Sequence, residues 1–163
     1  MTGPLRLYET VVPDDWLDYN GHVSEFRYLQ AFGDNSDAFF RHVGIDESYR
    51  DSGRSLYTVE THQHNIREIG AGAELAFTLR VLDVDTKRLH IFHEMYCDED
   101  LLATAEQMLL HVDMGAGRVT AMPPWLHERL SALHAEHAVL PKPVRTGSVI
   151  GIRRQREARC GST

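Results

Sequence analysis

The chain has 163 residues, 42% apolar and 25% charged, which fits one ordinary globular domain able to bury a core. A net charge of −7 argues against nucleic-acid binding, and no apolar run approaches the roughly 20 residues a membrane helix needs. Cys97 and Cys160 form no disulfide framework or metal-type spacing, and the N-terminal residues lack the basic-then-apolar pattern of a signal peptide, so a reducing cytoplasm is expected.

Residues 5–12 read as a strand closed by Pro13. Residues 14–23 hold an Asx- and Gly-rich turn. The period then changes. Phe26, Leu29, Phe32, Phe39, Phe40 and Val43 recur at helical spacing, predicting one buried apolar stripe over 24–43. Ser24 is the expected N-cap and Gly44 the glycine that ends the helix. After a loop at 46–54, residues 56–66, 73–84, 88–97 and 101–112 read as strands separated by short turns, an antiparallel meander. Residues 124–138 read as a second helix, with Pro123 and Pro124 at its start. Pro141 and Pro143 close the predicted domain, 1–140. Residues 141–163 form a basic tail expected to be flexible: from Lys142 onward six Lys/Arg face one acid, so the tail carries +5 and the body −12. A single sheet must cover its apolar face, and one long striped helix is available to do so.

The segment Asp18-Tyr19-Asn20-Gly21-His22-Val23 with Tyr28 beyond it resembles the signature of hydroxybenzoyl-CoA thioesterase-like members of the hotdog superfamily. Ser24 and Glu25 depart from the Asn-Asn pair frequent there. The resemblance covers roughly residues 5–125 and implies an α+β hotdog fold, an antiparallel sheet wrapped around one long central helix. It also implies acyl-CoA thioester hydrolysis. A closer similarity, carried by DYNGH, FRYLQAFGD, YTVETH, KRLHIFHEMY and LLATAEQMLLHVD, is to the thioesterase modules attached to or encoded beside bacterial L-carnitine dehydrogenases. That similarity implies betainyl-CoA as substrate.

On the residues alone Asp18 reads as a turn or capping carboxylate; the resemblance makes it the catalytic one, as nucleophile or as general base. The start of the helix can offer free N–H groups to a developing oxyanion. Gly21 permits close backbone approach. Asn20 and His22 are candidates for substrate contact, and equally for loop-holding roles. Tyr28, Glu60 and Thr61 are further candidates for the substrate site. A trimethylammonium acyl group wants a carboxylate and aromatic faces, and Trp16, Tyr28, Phe32 and Tyr57 could supply the faces. Glu60, amid apolar strand residues, is expected to be buried and to need a partner. Arg54, Arg67, Lys87 and Arg88 stand at strand ends where coenzyme A phosphates could meet them.

Ten histidines raise the question of a metal, but none has a carboxylate or Cys at ligand spacing, so no metal and no separate cofactor is expected. The expected partners are the acyl-CoA substrate and a second copy of the chain, as a homodimer or dimer of dimers built through a sheet edge. Two other readings remain open: a non-catalytic module binding an acyl or quaternary-ammonium ligand, and a hotdog dehydratase using His22.

Overall fold

The structure, a computed structural model, describes residues 3–152. The arginines of the tail from 153 onward and Cys160 lie outside the described residues. Six strands form one antiparallel sheet: β1 (Glu9–Val11), β2 (Arg54–Asn65), β3 (Glu74–Val84), β4 (Arg88–Cys97), β5 (Asp100–Asp113) and β6 (Arg118–Val119). Their order is β1-β3-β4-β5-β2, with β6 also paired to β5. Among the described residues three α-helices accompany them: α1 (Glu25–Val43), α2 (Glu47–Asp51) and α3 (Pro124–Ala138). α2 occupies the stretch read as a loop; Asp46 caps it by accepting from the Tyr49 N–H at 2.9 Å.

α1 lies across one face of the sheet. The buried line along it is Tyr28, Ala31, Phe32, Asn35, Ser36, Phe39 and Val43, spaced by three and four. This corrects the predicted stripe: Phe26 is 64% exposed and Leu29 46%, because both sit on a neighbouring column of the helix. The helix ends at Gly44, whose φ of 97° lets the Ile45 N–H turn back to the Phe40 carbonyl at 2.8 Å.

Two apolar clusters fill the space between helix and sheet. Tyr28, Ala31 and Phe32 pack with Leu75, Phe77, Met95, Ala103 and Ala105. Phe39 and Val43 pack with Leu79, Val81, Leu89, Ile91 and Leu109, joined by Leu126 and Leu130 of α3. Between the clusters runs a buried polar layer of Asn35, Ser36, His93 and Gln107. α3 is also tied to the sheet by a hydrogen bond. A bulge between Val81 and Asp83 disturbs the β3–β4 pairing, and the Val81 N–H donates to Nδ1 of buried His137 at 2.9 Å.

The opposite face of the sheet is met by the chain after α3. The Gly147 N–H donates to Glu106 Oε2 at 2.7 Å, and Arg80 donates to the Pro141 carbonyl at 2.7 Å. Pro143 is buried there. The described part of the predicted tail, up to residue 152, therefore continues along the sheet beyond Pro141 and Pro143. Among the described residues no helix is long and apolar enough to cross a membrane. A long helix laid against an antiparallel sheet in this order is the hotdog fold.

Candidate active site

The chain enters α1 through a tight loop. Leu17 and Val23 form an isolated antiparallel bridge, the Asp18 N–H donates to the His22 carbonyl at 2.8 Å, and the Gly21 N–H donates to the Asp18 carbonyl at 3.0 Å. Gly21 takes φ 76°, a region where a side chain is strained. Asp18 Oδ1 accepts from the Asn20 N–H at 2.8 Å, an Asx turn that fixes the carboxylate. The loop is moored to the segment after β2: Val23 N–H donates to the Ile69 carbonyl at 2.8 Å, and His22 Nε2 lies 3.4 Å from Glu68 Oε2. Tyr28, one turn into α1, donates its hydroxyl to the Arg67 carbonyl at 3.0 Å. Burial, with the nearby Glu68 charge, raises the Tyr28 pKa above the usual phenol value, so the hydroxyl remains a donor.

Ser24 stands at the N-cap, yet its side chain makes no capping bond. The N–H groups of the first turn of α1 that lack an intrahelical acceptor are thereby left without a side-chain cap. The same turn borders a groove of about 420 Å³ lined by Glu25, Phe26, Leu29, Thr61, Gln63 and Asn65. Thr61, Gln63 and Asn65 reach it together because they alternate along β2, opposite Gln107, Ala105 and Ala103.

The predicted site residues divide into groups. Asp18, Asn20, Gly21 and His22 share the loop before α1, with Asp18 half-buried and Asn20 and Gly21 exposed. Thr61 lines the groove. Trp16, Tyr28 and Phe32 belong to the apolar core, and Tyr57 is 51% exposed on β2. Glu60 is exposed rather than buried, and it does not share a face with Thr61. A register shift between Thr58 and Glu60 sets Glu60 opposite Met108, and it lines a separate cavity of about 360 Å³ with His62, His90 and Glu106. Arg67 and Arg88 are engaged by Asp100 at 2.9 Å and Asp85 at 2.6 Å. Glu25, Phe26, Leu29, Gln63 and Asn65 of the groove were not among the predicted site residues. Strand alternation from Thr61 was the signal for two of them.

Residues 11–130 match the model of the family described as the thioesterase-like superfamily. The chain is 47% identical over 155 residues to an L-carnitine dehydrogenase/betainyl-CoA thioesterase of Agrobacterium fabrum, covering 94% of this chain and 32% of that protein. It thus spans about a third of that relative's length. It is 40% identical over 155 residues to a betainyl-CoA thioesterase of Pseudomonas aeruginosa, covering 93% of this chain and 98% of the other. Among solved structures, a Staphylococcus aureus protein in complex with CoA superposes with a TM-score of 0.85 at 24% identity, covering 92% of this chain and 97% of the other. A hotdog core, an Asp-led loop before its helix, and these matches lead to one conclusion: the chain belongs to the thioesterase-like superfamily.

Proposed function

We propose that this chain hydrolyses acyl-CoA thioesters in the cytoplasm, with betainyl-CoA as its substrate and Asp18 as the catalytic carboxylate. The observation that carries the reading is the pairing of two features at one end of α1. A carboxylate is held in a fixed turn six residues before Ser24, and the helix start beside it lacks a side-chain cap. The thioester carbonyl oxygen takes the free N–H groups and the positive end of the helix dipole as it becomes an oxyanion. Asp18 attacks the thioester carbon itself, or takes a proton from the water that does. In either route the C–S bond breaks and the coenzyme A thiolate leaves and is protonated; where Asp18 itself attacks, water then opens the resulting mixed anhydride, restoring Asp18, and the free carboxylic acid is the other product. The substrate assignment follows the names of the two relatives above.

The working unit is a homodimer. β2 is an edge strand, hydrogen-bonded to β5 on one side. Tyr57 and Val59, both more than half exposed, and the bare Phe26 and Leu29 adjoin that edge. A second copy pairing along β2 would cover Tyr57 and Val59 and wall the groove beside Phe26 and Leu29. A thiol-release assay over a panel of acyl-CoA esters that includes betainyl-CoA tests the activity. Absence of hydrolysis for every ester by the folded protein removes the proposal.

A further inference from the structure

The groove at the head of α1 holds one charged side chain. Glu25 occupies the first helical position, and among the described residues its carboxylate forms no ion pair or side-chain hydrogen bond. Its neighbours in the groove are two exposed apolar side chains, Phe26 and Leu29, and three neutral polar ones, Thr61, Gln63 and Asn65. Arg27, two residues on, lies over the Phe26 ring at 5.0 Å, but its guanidinium is turned to Gln30 Oε1 at 2.7 Å and toward Asp15 at 3.7 Å. Among the described residues Glu25 is therefore an exposed carboxylate with no cationic side chain paired to it, beside an apolar surface.

That charge decides which acyl groups suit the groove. A neutral acyl chain lying on Phe26 and Leu29 would strip water from the carboxylate and give nothing back. An anionic one would be repelled. A quaternary ammonium offers no N–H to a hydrogen-bond acceptor, so it is recognised through its charge and through aromatic faces. Glu25 supplies the first and Phe26 the second.

We infer that Glu25 is the specificity residue that selects a cationic, trimethylammonium-bearing acyl group over a neutral one of the same shape. This rests on the thioesterase reading above and assigns a residue to its substrate preference.

The test compares two substrates on the full chain: betainyl-CoA and 3,3-dimethylbutanoyl-CoA, in which a tert-butyl group replaces trimethylammonium. The wild type should favour betainyl-CoA in kcat/KM. In Glu25→Gln the ratio of the two kcat/KM values should fall by about tenfold, the scale of a partly desolvated cation contact. In Glu25→Lys the preference should reverse. Raised salt should erode the wild-type ratio and leave that of Glu25→Gln flat. Circular dichroism and remaining hydrolysis of the neutral ester report that each variant is folded. A wild-type preference that survives in both variants overturns the role of Glu25 while leaving the thioesterase standing. A wild type that hydrolyses both esters equally overturns the substrate reading and the role of Glu25 together.

Discussion

Asn35 of α1 donates from Nδ2 to Nδ1 of His93 on β4 at 2.9 Å, at a point where both side chains are almost wholly buried. With Nδ1 accepting, the ring proton sits on Nε2, which donates to Gln107 Oε1 at 3.1 Å. Ser36 adds its hydroxyl, given to the Phe32 carbonyl at 3.0 Å and lying 3.3 Å from Gln107 Oε1. His93 is thus held neutral. Burial lowers its pKa from 6.5 to about 4, with the Gln107 hydrogen bond opposing the shift. Between those values the unfolded chain takes up a proton that the folded ring refuses. Stability is therefore full above about pH 6.5 and falls as the pH drops toward 4, by about 3 kcal/mol across the window. Urea unfolding at pH 7.5 and 4.5 measures the loss, and His93→Gln should flatten it. An identical pH slope in that variant would assign the loss elsewhere.

Asp18→Asn should lower turnover at least about a hundredfold, the scale of losing a general base. The fold should stand, because an Asn carbonyl can accept the same Asn20 N–H that now holds Asp18 in its turn. Steady-state thiol release alongside circular dichroism checks both halves. Near-normal hydrolysis would remove Asp18 from the mechanism.

Gly44→Ala should cost about 1–2 kcal/mol from the left-handed backbone alone. The new methyl would also stand 3.1 Å from a ring carbon of Trp125, so α3 must shift or the helix end must loosen. Chemical denaturation followed by tryptophan fluorescence reads the cost and the disturbance together. A variant as stable as the wild type would mean this corner relaxes freely.

Tyr57→Lys with Val59→Lys should convert a dimer into a monomer, since both side chains stand exposed on the strand with a free edge. Light scattering at micromolar concentration distinguishes the two states. A wild-type monomer there, or a dimer unmoved by two lysines, would place the interface somewhere else.

Much of the architecture was readable from pattern alone. The four long strands and α3 follow from alternation, turn residues and Pro124, and α1 from its period and Gly44. The face of α1 was misplaced because counting apolar residues favours Phe26 and Leu29, while the true seam carries Asn35 and Ser36 at its middle. Those polar residues are buried only because His93 and Gln107, on β4 and β5, lie opposite to receive them. No local pattern announces a partner 58 or 71 residues away. The sides of β2 were obscured by its bulge. Beyond it, side chains fall on faces that simple alternation from Leu56 does not give: Thr61, opposite Gln107, takes the α1 side and Glu60, opposite Met108, the other.

The hydrogen-bonded layer inside the core has a mechanical consequence. A helix seated on apolar contacts alone can exchange one greasy position for the next with little penalty. Asn35 and Ser36 fit their imidazole and amide at one setting only, like a key bit in its ward, and sliding by a turn would strand several polar groups in a dry interior. The depth at which the leading end of α1 meets the strand beside it is thereby locked from the middle of the rod.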